Sequence, residues 1–166
     1  MLIIYACYGG AHTSPVAAAI HLGKLKGKPL PSLEEILDIQ YFDLLAAGDR
    51  GRVFPVGIDE FGNQVCILGR GSRELPILQA VKSGYLLAGG NPRQIVFVNS
   101  LKAVNWQMRV GGFLSRRLGL VSLGRFLAAA GARRAYPKLA DIVAATKAKY
   151  GAADSFHPAS FLSRQE

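Results

Sequence analysis

The chain has 166 residues, half of them apolar, and carries a formal net charge of +9 at pH 7. This size and apolar content predict one globular domain with its own core and exclude a disordered chain. No apolar run approaches the ~18 residues of a membrane-spanning helix, and the apolar start is too short and lacks the basic leader of a signal peptide, so we expect a cytoplasmic protein with no membrane span.

The first predicted elements are a strand, a glycine-containing loop and a helix. Leu2–Tyr5 is short and apolar, which is typical of a buried strand in a parallel sheet. An alanine-rich helix is expected from about Ser14 to Leu25, with Ser14 as its N-cap and Pro15 at the first helical position. The N–H groups of the intervening loop and the dipole of the helix favour a bound anion. We therefore predict an anion site formed by Tyr8, Gly9, Gly10, Ala11, Thr13 and Ser14.

Two residues of this loop are candidates for catalysis. Cys7 stands at the end of the strand, where a helix N-terminus favours a reactive thiolate, and it is the candidate nucleophile. The alternative is a small buried residue that only packs. His12 is a candidate general acid or thiolate partner, and the alternative is a histidine that caps a backbone carbonyl. The glycines and hydroxyls of the loop also fit a tight turn and simple helix caps.

The segment YACYGGAHTSPVAAAIHLGKL resembles the start of the low-molecular-weight protein tyrosine phosphatases. In that family a strand-end cysteine, five residues and Arg-Ser lead into a helix, which implies phosphate-ester hydrolysis through Cys7. Thr13 stands at the arginine position, and threonine cannot clamp two phosphate oxygens as a guanidinium fork does. The family's late aspartate, often followed by proline, is also missing. An ordinary phosphatase of this kind is therefore disfavoured.

Two further resemblances concern the same loop and the whole chain. Residues 10–14, GAHTS, look like the Gly-Met-Ser-Thr-Ser segment of the cysteine-bearing IIB component of the lactose/cellobiose-type sugar phosphotransferases. That likeness implies a cysteine that carries a phosphoryl group without an arginine. Over its full length the chain is similar to an uncharacterised bacterial family, a domain of unknown function, which implies no particular reaction. The opening YACYGGAHTS, the stretch AAAIHLG and the later GGFLSR carry this impression.

The middle of the chain predicts a short helix, a hairpin, a longer helix and a strand. A capping box opens the short helix near Leu33. The apolar runs Val53–Ile58 and Gln64–Leu68 flank a five-residue loop with Gly-Asn, which indicates a β-hairpin. A helix from about Glu74 to Leu87 and a buried strand Gln94–Val98 follow. Cys66 lies in the apolar strand, where core packing is the expected role.

Arg70 and Arg73 flank a small glycine-serine loop between the hairpin and the next helix. A cation after a strand and before a helix is a second candidate phosphate contact, and it could replace the missing arginine in space. A solvated surface loop is the alternative reading. Both arginines therefore enter the predicted anion site alongside the first loop.

The net positive charge is concentrated late in the chain. Residues 75–140 contain ten Lys/Arg and no Asp/Glu, whereas residues 1–74 contain seven Lys/Arg and eight Asp/Glu. Such a stretch indicates a positive face that suits phosphate-bearing ligands, nucleic acid or an acidic partner. The arginines expected on this face are Arg109, Arg116, Arg117 and Arg125.

The C-terminal half is predicted to be helical. After a helix through Trp106, the pair at 111–112, Gly-Gly, is expected to interrupt the pattern. Separate helices follow at about Phe113–Leu118, Leu123–Ala130 and Pro137–Lys149, with Pro137 at a first helical position.

The predicted fold class is α/β: a three-layer, Rossmann-like, mostly parallel sheet with a β-hairpin and a helical C-terminal half. Residues 1–150 form one domain, and residues 151–166 form a flexible tail. The predicted function is phosphate handling or binding of a phosphorylated or otherwise anionic small molecule, with phosphatase or phosphoryl-transfer chemistry through Cys7. The alternatives are a non-catalytic module for a nucleotide or nucleic acid, and a structural or partner-binding protein. The scattered cysteines and histidines predict no metal site, and no cofactor is expected.

Overall fold

A computed structural model describes residues 1–25 and 30–151. The predicted tail therefore lies almost wholly outside the described residues. The strands are β1 (Leu2–Cys7), β2 (Val53–Ile58), β3 (Gln64–Gly69) and β4 (Ile95–Asn99). The α-helices are α1 (Thr13–His21), α2 (Leu33–Leu37), α3 (Glu74–Leu87), α4 (Trp106–Arg117) and α5 (Val121–Tyr150). Short 3₁₀ turns occupy Ala47–Asp49, Pro92–Gln94 and Ser100–Ala103.

The four strands form one mixed sheet in the order β2-β3-β1-β4. β1 lies between β3 and β4 and runs parallel to both, with Leu2 opposite Gln64 on one side and Ile95 on the other. β2 pairs antiparallel with β3, as the hairpin pattern predicts. The α/β class, the mostly parallel sheet and the helical C-terminal half are confirmed, and the three-layer Rossmann-like arrangement stays a prediction.

Alternate residues of β1 enter two different apolar clusters, because successive side chains of a strand point to opposite faces. Ile3 and Tyr5 pack in the larger cluster, with side chains of α1 and α5. Ile4 and Ala6 pack in the smaller cluster, with side chains of α3. Both faces of the central strand are thus buried, which fixes the direction in which its end, Cys7, meets the following loop.

Helix α1 differs from its prediction at both ends. It begins at Thr13 with His12 as the N-cap, and no side chain caps it. Ser14 is already helical, because its hydroxyl bonds to Cys7 Sγ at 3.2 Å instead of capping the backbone. The helix ends at His21, four residues before the predicted end. The capping box of α2 is confirmed, with Ser32 Oγ accepting from the Glu35 N–H.

The glycine pair at 111–112 does not interrupt a helix, and that prediction is wrong. α4 runs through both residues, and α5 packs closely against it. A Cβ on Gly111 would lie 2.5 Å from Ala128 N, and one on Gly124 would lie 2.4 Å from Ser115 N. Glycine at these two positions lets the helix backbones touch, and this packing outweighs its poor helix propensity.

The two helices predicted at Leu123–Ala130 and Pro137–Lys149 are one helix, α5, with Pro137 in its interior. Proline removes one backbone N–H from the helix and usually marks a boundary. Here Tyr136 and Leu139 beside it are buried in the core, and this packing holds the helix continuous. In the described part of the chain, no helix is both long enough and apolar enough to cross a bilayer.

Candidate functional site

A cleft of about 710 Å³ opens where β1 runs into its loop. Three segments form its walls: the loop at residues 7–13, the turn that holds Arg50, and helix α4 with the 3₁₀ turn before it. The lining residues are Cys7, Tyr8, Gly9, Ala11, His12, Thr13, Ala46, Ala47, Arg50, Leu101, Val104, Met108, Arg109, Gly112, Phe113, Arg116 and Arg117. The first loop, predicted from sequence to be the site, is therefore one wall of a cavity whose other walls come from distant segments.

Two loop residues of the predicted site lie behind this wall. Ser14 is fully buried. Gly10 is buried with φ +73°, and a Cβ there would lie 2.9 Å from Gly69 N. Glycine is therefore required at Gly10, because the loop turns with a positive φ directly against the end of β3.

Two polar groups contact Cys7 Sγ at the base of the cleft. The Gly10 N–H donates to it, and Ser14 Oγ lies 3.2 Å away. The side chain is buried, with 3% of its surface exposed, but it forms part of the cleft lining. These two contacts fix the direction of the sulfur at the end of β1, next to the start of helix α1.

The loop also presents unpaired backbone donors. Among the described residues, the N–H groups of Gly9, Ala11, His12, Thr13 and Ser14 have no hydrogen-bond acceptor. The first residue of α1 to bond within the helix pattern is Val16, whose N–H donates to His12 O at 3.3 Å. Free N–H groups at a helix start are the usual ligands of a phosphate or carboxylate.

His12 is held by Asp43, a residue that the sequence analysis did not select. His12 Nε2 lies 2.9 Å from Asp43 Oδ1, and the Asp43 N–H donates to Ala11 O at 2.8 Å. Asp43 adopts a left-handed backbone with φ 53°, which aspartate tolerates better than most residues. A lone aspartate after Tyr41-Phe42 carries no motif, so no sequence signal could have found it.

Asp43 also joins the loop to helix α4. Its side chain is fully buried, accepts from Ser115 Oγ at 2.8 Å and lies 3.4 Å from Arg116 Nη2. Burial alone would raise the pKa of Asp43, but the hydrogen bonds from His12 and Ser115, with the charge of Arg116, hold the pKa below its usual value. An ionised Asp43 makes His12 Nε2 the donor in their hydrogen bond and leaves Nδ1 as the ring nitrogen outside that bond.

Among the residues that the structure describes, the cleft lining includes four arginines and no Asp or Glu. Arg50 lies over the Tyr8 ring, with its guanidinium carbon 4.8 Å from the ring centre. Arg109 and Arg117 are exposed on α4. Arg116 Nη1 donates to Leu45 O and lies 3.9 Å from the place that a Cβ on Gly9 would occupy. Three of the four arginines predicted on the positive face therefore meet at this cleft, with Arg50 as an addition.

The remaining arginines of the prediction lie elsewhere. Arg70 is nearly buried and pairs with Glu74 at 2.9 Å, and Arg73 is exposed at the N-cap of α3. Neither lines the cleft. Arg125 turns towards α2, where its Nη2 donates to Leu37 O at 3.4 Å. Arg70 therefore meets the first loop only through its backbone, where its N–H donates to Cys7 O at 2.9 Å, and neither guanidinium reaches the cleft.

A second His–Asp pair lies in the core, away from the cleft. His21 Nε2 is 2.9 Å from Asp59 Oδ2, and the Tyr5 hydroxyl is 2.7 Å from His21 Nδ1. Asp59 also accepts from the Phe61 N–H and from two groups of Asn63. Burial lowers the pKa of His21 despite the bond to Asp59, and burial raises the pKa of Tyr5. Burial also raises the pKa of the Cys66 thiol to about 12, as expected for a packing cysteine.

Within residues 1–25 and 30–151, no three His, Cys, Asp or Glu side chains stand close enough to hold a metal ion.

The comparisons with known proteins identify a family. A family model described as "Protein of unknown function (DUF3189)" matches residues 2–148. The chain belongs to this family. The search of curated proteins and the search of solved structures found no match.

Proposed function

We propose that this member of a family of unknown function binds a phosphorylated or otherwise anionic small molecule in the cleft, with Cys7 as the candidate nucleophile. The unpaired N–H groups of the first loop carry the proposal. They point to a ligand with several acceptor oxygens, because N–H groups at a helix start are satisfied by water or by a ligand that can accept several hydrogen bonds at once.

The charge of the cleft supports the same ligand. Arg50, Arg109 and Arg117 have no carboxylate partner in the described part of the chain. A concave wall of one charge sign concentrates counter-ions and raises their rate of association. The apolar side of the cleft, with Leu101 and Val104, leaves room for an uncharged part of the ligand.

The proposed reaction is transfer of a phosphoryl group to Cys7. The thiolate attacks phosphorus, an S–P bond forms, and the bond from phosphorus to the leaving oxygen breaks. The leaving oxygen keeps the electron pair and takes the proton that His12 received from the Cys7 thiol. The oxygen of water or of a second acceptor then attacks phosphorus, the S–P bond breaks with its electron pair on sulfur, and His12 removes the acceptor's proton and returns it to the sulfur.

Arg116 is the residue we propose in place of the missing arginine at Thr13. Its guanidinium approaches the loop from α4 rather than from α1. Asp43 restrains it, so it contributes less charge to the ligand than Arg109 or Arg117. The expected catalytic power is therefore lower than that of an enzyme with an arginine inside the loop, where one such donor is worth about 3 kcal/mol.

The position of the cleft supports the proposal of a three-layer Rossmann-like arrangement. Rossmann-like α/β folds bind ligands outside the carboxyl ends of parallel strands, and the cleft lies at that end of β1. We retain the three-layer Rossmann-like arrangement and a cytoplasmic location as parts of the proposal.

Calorimetric titration with inorganic phosphate tests the binding. We expect saturable binding that weakens with added salt and that weakens at least about tenfold in Arg50→Gln, since one arginine–phosphate pair is worth about 1.5–3 kcal/mol. Arg93→Gln is the matched control, because Arg93 is exposed and lies outside the cleft lining. Equal affinity in both variants, or no binding in the native chain, would contradict the proposal.

The nucleophile is tested separately with p-nitrophenyl phosphate. We expect slow release of nitrophenolate that Cys7→Ser abolishes and Cys66→Ser preserves. If the native chain releases no nitrophenolate and Cys7→Ser still binds phosphate, the protein is a non-catalytic binding module. That outcome removes the nucleophile and keeps the anion site.

A further inference from the structure

The cleft holds more positive charge than one phosphate group can use. The N–H groups of the first loop and Arg116 Nη1, which lies 3.9 Å from the place of a Cβ on Gly9, already supply donors for the free oxygens of a phosphate ester. Arg109 lines the same cleft, is exposed and has no carboxylate partner in the described part of the chain. Arg109 is therefore a cation that an anion on the loop leaves unused.

Helix α4 places Arg109 at a fixed distance from the loop. Arg109 and Arg116 are seven residues apart on α4. They therefore share one face of the helix and stand about 10 Å apart along its axis. Arg109 also lies in the first turn of α4, where the helix dipole adds positive charge. The cleft thus has a second cationic end, roughly two helical turns from the loop.

The wall between the two cationic ends is apolar. Phe113 lies between Arg109 and Arg116 on the same helix face, lines the cleft and exposes 54% of its surface. Leu101 and Val104 line the cleft from the segment before α4. Apolar walls with a few charged groups at defined places favour a ligand whose charges are separated by an uncharged part.

We infer that the ligand of this cleft is a small organic phosphate with a second anionic group about 10 Å from the first, joined to it by an apolar or aromatic spacer. The inference rests on the proposed function, because it assigns the first phosphate to the loop. The second group pairs with Arg109 and is a phosphate or a carboxylate, since the guanidinium fork fits both. The spacer packs on Phe113.

Calorimetric titration of the full chain with matched probes tests the second anion site. The probes are hexyl phosphate, hexane-1,6-diol bisphosphate and 6-phosphonooxyhexanoate, which share the same length of carbon chain. We expect at least one of the two-anion probes to bind at least about tenfold more tightly than hexyl phosphate, because it gains one guanidinium–anion pair. The tighter of these two probes identifies the second group. Ethane-1,2-diol bisphosphate has a spacer too short to reach Arg109 from the loop and should lack this gain.

Two variants show whether Arg109 is the source of the gain. Arg109→Gln should bring the affinity of the two-anion probes down to that of hexyl phosphate. Lys102→Gln is the matched control and should keep the difference, because Lys102 is an exposed cation in the turn before α4 and lies outside the cleft lining.

Three outcomes would overturn this inference and leave the proposed function standing. They are equal affinities for hexyl phosphate and both two-anion probes, an equal loss in Arg109→Gln and Lys102→Gln, and equally tight binding of the short bisphosphate. If none of the probes binds to the native chain, the proposed function fails as well.

Discussion

The described part of the chain contains two His–Asp pairs that have the same nitrogen–oxygen distance and different surroundings. His12–Asp43 and His21–Asp59 each join Nε2 to a carboxylate oxygen at 2.9 Å. The other ring nitrogen of His21 is taken by the Tyr5 hydroxyl, whereas the His12 ring lines the cleft. The same local chemistry therefore completes a closed core network in one place and leaves a basic nitrogen available to a ligand in the other.

The difference follows from the neighbouring elements. The inner pair lies between α1, β1 and the β2–β3 turn, where both side chains have no exposed surface. The outer pair lies between the first loop and α4, where 17% of the His12 side chain is exposed. The fold thus leaves one side of the His12 ring open to the cleft and closes both sides of the His21 ring.

The largest expected effect comes from removing the inner carboxylate. Asp59→Ala leaves His21, the Asn63 amide and two backbone N–H groups without their acceptor. The free energy of unfolding should fall by about 3–5 kcal/mol, because each buried donor left without an acceptor costs about 1–3 kcal/mol. Urea denaturation measures it. A loss no greater than that of an exposed substitution such as Glu34→Ala would mean that the inner network contributes little.

Replacing the outer carboxylate should separate stability from function. Asp43→Asn keeps the left-handed backbone, which asparagine adopts readily, and should cost about 1–2 kcal/mol of stability. Because it releases Arg116, phosphate should bind more tightly. Because it no longer fixes the proton of His12 on Nε2, any turnover should fall. Calorimetry measures the phosphate affinity, and a p-nitrophenyl phosphate assay measures the turnover. If affinity and turnover rise together or fall together, Asp43 does not act separately on Arg116 and on His12.

Two glycine-to-alanine substitutions should change the stability of the protein in opposite directions. A Cβ on Gly112 would lie 2.9 Å from His12 Cε1, so Gly112→Ala forces the ring to move and should cost about 1 kcal/mol. Gly84 lies exposed inside α3 with open space around it, and Gly84→Ala should stabilise by about 0.5–1 kcal/mol. Thermal unfolding distinguishes them. The same sign for both would mean that the space next to His12 is not limited.

The smallest effect is a dependence of stability on pH. The pKa of His21 is lowered in the folded chain, so the unfolded chain binds more protons just below the ordinary pKa near 6.5. Stability from this group is complete above that pH and is lost as the pH falls towards the folded pKa. Urea midpoints between pH 7 and pH 5 should therefore decline, and the decline should be smaller in His21→Gln. An equal decline in His21→Gln would exclude His21 as its source.

The sequence predicts the fold best where local signals and packing agree. The strand before Cys7, the capping box at Ser32 and the hairpin around Gly62-Asn63 are local patterns, and all three are confirmed. The glycine pair at 111–112 and Pro137 mislead, because their role is decided by contacts between helices that are distant in sequence.

The candidate site is predicted only in part for the same reason. The first loop could be found because strand, glycines and helix start are contiguous. The acid-free stretch of the chain indicated the arginines of α4, although it could not show that they face this loop. Asp43 and Arg50 lie in turns without a motif, and only the fold brings them to His12 and Tyr8.

The central position of β1 has a consequence for the order of events during synthesis. β1 leaves the ribosome before both strands with which it pairs, which begin at Gln64 and Ile95, and its loop is completed by α4, which ends at Arg117. The pocket around Cys7 therefore cannot close until residues as far as Arg117 have been synthesised. During that interval an apolar strand and a free thiol are exposed together, which is when such a chain is most open to aggregation or oxidation.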